Sequence, residues 1–511
     1  MFKKIQKYLL IHHPLLWNTK IVPLTVIAIL LHIIYFILGY ADGAIDFTYV
    51  SSYYDLHENE KIIIVFSGLT SALTLVIWLV YYFKNNAFKS FYPKKTMSLY
   101  KEWLLILFGC FLVCAFSASF YYGKDVRARS YFSEEEAIKR CETLSLASFF
   151  TVGSSEQDEY MYFDSIGRKF NKRVNYMLYK GKKYPLNSLL NKNIQTFSFF
   201  DQKKDSLRKI RLKDWLVNNQ KDSVKVLMTR FMGMVKEHQL TANIDENKWL
   251  ELVYNYPDFQ EVHIVGNEEK LEFYDPNQYP IDGEIDSVEA VEGNVNQLDT
   301  INQYIVEINN EKYLAYKHFV PYNSLQSAYN IISTSWNNPT IDIDYLIVTF
   351  YFAIAFSILI FSFRVTSGKS WLIALISLGI LNILFGVITA FIGNEFVYMG
   401  LLIVLTLAAF IYLLIILKRK QGKGISGATL VGTLWLLPAF IPILYGLILE
   451  IAKVVTGYNR VKYDLRPTDF PVISWFENQF SAMFYVNAAL VFLMMLYMSF
   501  KIKKWKGVAE S

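Results

Sequence analysis

The chain has 511 residues, of which 53% are hydrophobic, 17% aromatic and 19% charged, with a formal net charge of +6. Its mean hydropathy is positive and its apolar residues fall in long runs, not at helix or strand spacing. One ordinary globular core is therefore excluded, and a polytopic α-helical membrane protein is expected.

Residues 1–20 (MFKKIQKYLLIHHPLLWNTK) are basic and carry no uninterrupted apolar core followed by a small-residue cleavage site, so no removable signal peptide is expected. Leu9, Leu10, Ile11, Leu15, Leu16 and Trp17 among lysines and histidines suit a helix lying in the cytoplasmic interface and broken at Pro14. An ordinary basic lead-in to the first span is the other reading.

A helix needs about 20 apolar residues to cross the hydrocarbon, where no water can pair its backbone. Eight runs qualify: Ile21–Tyr40, Ile62–Phe83, Leu104–Tyr122, Tyr345–Phe363, Trp371–Ile392, Phe396–Leu417, Thr429–Leu449 and Ser481–Phe500. With the N-terminus taken as cytoplasmic, the inner segments carry 19 Lys and Arg and the short outer loops 5, an asymmetry that supports eight spans with both ends inside. Residues 501–511 form a basic tail.

Between the third and fourth spans lie residues 123–344, read as a large α+β extracytoplasmic domain. This stretch holds 27 Lys and Arg against 33 Asp and Glu, whereas the rest of the chain is net +12. The basic balance is thus a topology signal, giving no support for nucleic-acid binding. Gly123–Glu237 is net +9 and His238–Asp344 net −15. Ser133 followed by three glutamates predicts a capped helix to about Phe149. Helices are also expected over Asp222–Gln239, Glu246–Tyr254 and Ser324–Trp336. Strands are expected at Glu261–Val265 and Lys270–Tyr274, with a hairpin of Tyr304–Ile308 and Lys312–His318 around Asn309-Asn310.

The three cysteines give no disulfide framework: Cys110 and Cys114 share one face of the third span and Cys141 stands in the outer domain. Two apparent motifs fail. His57-Glu58 opens like a zinc-protease motif, but Lys61 stands where the second histidine is needed. Ser367-Gly368-Lys369-Ser370 is similar to the end of a phosphate-binding loop, but Phe363 occupies the leading-glycine position. No catalytic residue, cofactor or metal site is read from the sequence.

The spans are free of Asp, Glu, Lys and Arg in their interiors, which leaves His32 as their one readily ionisable side chain. His32 either lines a pathway or is a neutral histidine satisfied by a neighbouring helix. Asn382 and Asn487 suit interhelical hydrogen bonds. Pro438 and Pro442, one turn apart in LPAFIP, remove successive backbone bonds and predict a kink, either a hinge or a static bend. Gly379 and Gly386, flanking Asn382, predict close helix approach. The outer loop, residues 450–480, carries Tyr458, Tyr463, Phe470, Trp475 and Phe476, and suits an interfacial anchor or a cover over a pore mouth.

An amphipathic lead helix, a bundle of spans and an outer loop before the last one make a topology that resembles the exporter-type ABC transporter permeases. This chain departs from that pattern by two extra spans and the insertion after the third. The resemblance implies a permease subunit of an ATP-powered exporter, and the lack of a disulfide framework in the outer domain suits a bacterial envelope protein of the inner membrane. The resemblance also implies a separate nucleotide-binding ATPase docking on cytoplasmic loops such as Lys84–Glu102, and a homodimer. The competing expectation is an envelope scaffold or sensor whose outer domain binds an envelope protein or ligand.

Overall fold

The computed structural model describes residues 2–48, 53–84, 97–151, 159–163, 169–173, 176–185, 188–257, 259, 265, 272–273, 303–308, 311–337, 341, 343–393, 395–419, 425–456 and 470–504. The chain opens with helices α1 (Phe2–His12) and α2 (Pro14–Thr19), separated at His13. Next come α3 (Ile21–Asp42), α4 (Tyr53–Lys84), α5 (Ser98–Cys114) and α6 (Phe116–Arg129). They are followed by α7 (Glu134–Ala147), α8 (Gln202–Val217), α9 (Lys221–Glu237), α10 (Glu246–Val253) and α11 (Tyr322–Asn337). The series closes with α12 (Ile343–Val365), α13 (Gly368–Ile392), α14 (Glu395–Arg419), α15 (Ile425–Leu436), α16 (Phe440–Thr456), α17 (Pro471–Asn478) and α18 (Phe480–Lys504).

Seven helical stretches among the described residues are long and apolar enough to cross a membrane: Ile21–Asp42, Ile62–Tyr82, Tyr345–Val365, Gly368–Ile392, Phe396–Ile416, Ser426–Thr456 and Phe480–Ile502. That is the make-up of a polytopic helical membrane protein. The third expected span, Leu104–Tyr122, falls on a bent pair: α5 and α6 meet at 46° across Ala115, and together they give an eighth only if counted as one. Helix α5 ends where side chains from neighbouring helices take its last carbonyls, the kind of insertion that breaks a helical ladder.

The chain divides into two compact units. The first comprises Met1–Phe36, Lys61–Phe120 and Ile341–Ser511, and the second Ile37–Glu60 and Tyr121–Thr340. In the first unit, α5 packs along α12, and Trp103 of α5 is fully buried with its Nε1 donating to Ser357 Oγ at 3.1 Å. Close approach occurs at Gly109, where a Cβ would lie 2.7 Å from Ile21 Cδ1. At Gly379 and Gly386, where the sequence led us to expect it, a Cβ would meet nothing within 4 Å. Glycine permits contact, but the neighbour must present a side chain there, and α13 turns that face outward.

The second unit is built around α7, α9, α10 and α11. Ser133 caps α7 by accepting from the Glu136 amide. Asp201 and Asp245 cap α8 and α10 in the same way. Fully buried Phe149, Phe231, Trp249 and Tyr329 centre the core, with Trp249 Nε1 donating to the Phe150 carbonyl at 3.0 Å. Three antiparallel pieces accompany the helices: β1 (Glu159–Phe163) with β2 (Lys169–Arg173), β3 (Tyr176–Tyr179) with β4 (Lys182–Pro185), and β5 (Glu272–Phe273), β6 (Gln303–Ile308) and β7 (Glu311–Tyr316) in the order β5-β7-β6. The β6–β7 register pairs Ile308 with Glu311, as a two-residue connection requires. Most of the strand expected at Glu261–Val265 lies outside the described residues, as do Tyr458 and Tyr463 of the 450–480 loop.

Candidate functional site

Polar side chains inside the first unit collect at two interruptions in its helices. The last four carbonyls of an α-helix lack intrahelical partners, and α5 stops at Cys114. The Ser71 hydroxyl of α4 lies 2.7 Å from both the Val113 carbonyl and the Ser67 carbonyl of its own helix, which share its one hydrogen. His32 of α3 places Nε2 2.9 Å from the Leu112 carbonyl and Nδ1 2.6 Å from Ser119 Oγ. A carbonyl only accepts, so Nε2 carries a hydrogen and donates to Leu112, while Nδ1 pairs with the Ser119 hydroxyl. His32 thus meets the bend between α5 and α6 with both of its ring nitrogens in hydrogen-bonding contact.

The second interruption is a 3-10 turn, Leu437–Ala439, between α15 and α16. Pro442 has no N–H to offer the Pro438 carbonyl four residues back. Asn487 of α18 supplies the missing donor, with Nδ2 2.7 Å from that oxygen. The same nitrogen donates to Tyr351 Oη at 2.8 Å, and Tyr351 passes its own hydrogen to the Phe484 carbonyl at 2.8 Å. Asn487 is 1% exposed. Asn382, by contrast, lies on an exposed face, where it donates to the Leu378 carbonyl and accepts from Tyr398 at 2.7 Å.

A third polar site escaped sequence reasoning. Glu102 and Arg364, each at the edge of an apolar run and read as loop charges, are 0% and 4% exposed. Arg364 Nε lies 3.0 Å from Glu102 Oε1, and Tyr82 donates to the same oxygen at 2.8 Å. Three helices, α4, α5 and α12, are thereby joined by one carboxylate. Such a pair gains little against its own desolvation but is costly to break from one side.

The second unit holds a polar chain beside its core. Arg140 of α7 engages Glu237 through both nitrogens at 2.8 and 3.0 Å and Glu136 at 2.7 Å, and also donates to Tyr329 Oη at 3.0 Å. His238 Nε2 sits 3.1 Å from that hydroxyl. Arginine only donates, so the tyrosine hydrogen points to His238 Nε2. The His238 ring stacks on Phe47 at 3.8 Å, and the amide of Ile45 donates to Tyr131 Oη at 2.9 Å. Burial lowers the His238 pKa below its ordinary 6.5; Glu237 pulls it up and Arg140 pushes it down. The hydrogen bonds from Arg140 hold Glu237 below the usual carboxylate range. Beside this chain, α7, α8 and α9 flank an open groove of about 1060 Å³ that includes Lys139, Arg211, Trp215, Asp222, Leu227 and Arg230.

The remaining sequence candidates have structural settings. Ser367 caps α13 by accepting from the Ser370 amide at 3.2 Å, and a Cβ on Gly427 would lie 2.6 Å from Ser370 Oγ, so this segment is a packed helix start. Cys110 and Cys141 are buried and Cys114 half-buried, all as free thiols, and burial pushes Cys141 up to about 12. The side chains of His57, Glu58 and Lys61 lie outside the described residues. Among the described residues no group of three or more His, Cys, Asp or Glu is placed to hold a metal ion. Trp475 is exposed, while Phe476 packs on Tyr445, whose hydroxyl donates to the Phe476 carbonyl. No protein family matches the chain, and no curated protein or solved structure resembles it closely enough to count as a match.

Proposed function

We propose that the chain is the membrane permease subunit of an ATP-powered envelope exporter in a bacterial inner membrane, energised by a separate nucleotide-binding ATPase. In this reading α5 and α6 form one bent span, giving eight. Both termini are cytoplasmic, α1 and α2 lie in the inner interface, and the second unit is an α+β domain outside. The charge asymmetry of the short loops supports that orientation.

The observation that carries the reading is the pair of interrupted helices in one bundle. Both release backbone carbonyls inside the bundle, and in both a polar side chain from a neighbouring helix takes one, His32 with Ser71 at the first and Asn487 at the second. Broken helices of this kind are tolerated in lipid only where the protein re-satisfies them, and they are far more than an anchor requires. The ionisable side chains here are committed to structural contacts, which supports an outside energy source. Native-level co-purification tests the proposal: an ATPase subunit is expected, and its absence, with an envelope partner recovered instead, overturns it. That second outcome is the scaffold or sensor reading, favoured by the open mixed-charge groove of the second unit.

A further inference from the structure

Helix α8 reverses the usual arrangement of a surface helix. Its buried residues include the cations Arg208 and Lys213, at 8% and 7% exposure, while Leu207 and Ile210 are 59% and 48% exposed. Arg208 is accommodated inside by pairing with Asp205 and by lying over the Phe200 ring. At 3.6 residues per turn, Lys203, Leu207, Ile210 and Asp214 follow one another along a single stripe, and buried Leu212 and Leu216 fall on the opposite side. That outward stripe is where a surface helix normally carries only polar residues.

At its C-terminal end the stripe meets the β3–β4 hairpin. Asp214 accepts from Tyr179 Oη at 3.0 Å and pairs with Lys180 Nζ at 2.5 Å. Across the hairpin Leu178 stands opposite Lys183, so the two share one side, and both are exposed, Leu178 at 56%. Residues 176–214 carry 10 Lys and Arg against 3 Asp. Asp205 and Asp214 are already paired with cations, and Asp201 caps the helix. Among the described residues the exposed side chains of Lys182, Lys183, Lys203 and Lys204 have no carboxylate within 4 Å.

We infer that the outer side of α8 and the β3–β4 hairpin dock on the anionic phospholipid surface of the protein's own bilayer, with Leu178, Leu207 and Ile210 entering the headgroup layer and the four lysines meeting phosphates. Aliphatic side chains set among lysines match an interface that offers anionic headgroups over an apolar layer. An acidic polypeptide chain answers the lysines and leaves the aliphatics in water; neutral lipid does the reverse. The chain passes between its two units four times, at 36–37, 60–61, 120–121 and 340–341. The bilayer is thus tethered to this surface, and docking gains the effective concentration of an intramolecular contact. The inference rests on the membrane spans, and on neither the transport reading nor the side of the membrane that the second unit occupies.

The test uses the full chain in nanodiscs of phosphatidylcholine, alone or with about one-third phosphatidylglycerol, each with a trace of headgroup spin-labelled lipid. An NBD fluorophore is placed on Ser206→Cys, an exposed position beside the stripe that leaves both aliphatics intact, with the parent labelled in parallel as background. Quenching is expected in the anionic discs and is expected to be lost in about 1 M sodium chloride, where the Debye length is about 3 Å. In neutral discs it is expected to be at least about fivefold weaker. The same label on Thr229→Cys, at an exposed position of α9, is expected to respond to neither lipid nor salt. One lysine near an anionic surface is worth roughly fivefold in binding, so Lys203→Gln with Lys204→Gln is expected to lower the ratio of docked to free protein about twentyfold. Leu207→Ser with Ile210→Ser is expected to lower it at least about tenfold, with an unchanged unfolding temperature because both side chains already face water. If either variant unfolds early, Lys182→Gln with Lys183→Gln in the hairpin decides. Equal quenching in the two lipids, an equal response at Thr229→Cys, or unchanged quenching in a folded variant overturns the inference. An NBD shift on adding polyglutamate to neutral discs, with no response to phosphatidylglycerol, marks an acidic polypeptide as the partner and overturns it as well.

Discussion

The Nδ2 of Asn487 lies 2.7 Å from the Pro438 carbonyl oxygen, an acceptor that Pro442, four residues on, leaves without an amide donor. The pairing has a measurable signature, because the need for Asn487 is created by Pro442. Asn487→Leu is expected to destabilise the protein by about 1–3 kcal/mol. In a Pro442→Ala background, where the residue at 442 regains its N–H, the same change is expected to cost less than half as much. Unfolding midpoints of the four proteins in detergent give the coupling; purely additive effects reject the assignment.

His32 plays the corresponding part at the bend between α5 and α6. His32→Phe keeps an aromatic ring against Phe116, whose centroid is 5.0 Å away, but removes the bonds to Leu112 and Ser119. A loss of about 1–3 kcal/mol is expected in the same unfolding measurement. His32→Gln, which keeps one donor and one acceptor, is expected to recover part of it. Equal losses in the two variants would show that packing alone matters there.

The Glu102–Arg364 pair makes an asymmetric prediction. Arg364→Leu leaves a buried carboxylate without its cation and is expected to cost about 3–5 kcal/mol. Adding Glu102→Met removes the stranded charge, and the double variant is expected to unfold close to the parent. A double variant worse than the single one contradicts a structural pair.

Acidification bears on His238. Its folded pKa lies below the ordinary 6.5, so the unfolded chain binds the proton first as pH falls. The stability it contributes is full above 6.5 and declines from there down to the folded value, below which it levels off. Protonation also takes away the acceptor that Tyr329 uses. Unfolding midpoints at pH 7.5 and 5.5 are expected to fall further apart in the parent than in His238→Phe, which retains the stack on Phe47. Equal differences rule out a role for this ring.

Topology needs an introduced thiol, because Cys141 is buried and held mostly as the thiol. Ser206 lies on an exposed face of α8. In intact cells Ser206→Cys is expected to react with a membrane-impermeant maleimide. Reaction only after permeabilisation would place the second unit inside and sink the proposed orientation.

Most of the helices could be read from the sequence because apolar runs and caps are local signals. Ser133 before three glutamates announced α7, and His32 and Asn487 stood out as polar residues in apolar runs. Their partners were harder to see, since a main-chain carbonyl has no letter of its own. Only Pro442 betrays one, by lacking the hydrogen that would have covered Pro438. Helix α8 was missed because charges interrupt its apolar positions and three of its buried residues, Arg208, Lys213 and Leu212, include two cations. Glu102 and Arg364 flank separate runs far apart in the chain, and only the packing of α5 on α12 brings them together.

The stack of Phe47 on His238 bears on the order of synthesis. Residues 37–60 belong to the second unit, yet they leave the ribosome well before α7, α9 and α11 exist to receive them. The unit cannot close as its first stretch emerges; it closes only when Tyr131, His238 and Tyr329 arrive. A chain begun at residue 121 would make all the helices of that core and still present a bare histidine ring where Phe47 should lie.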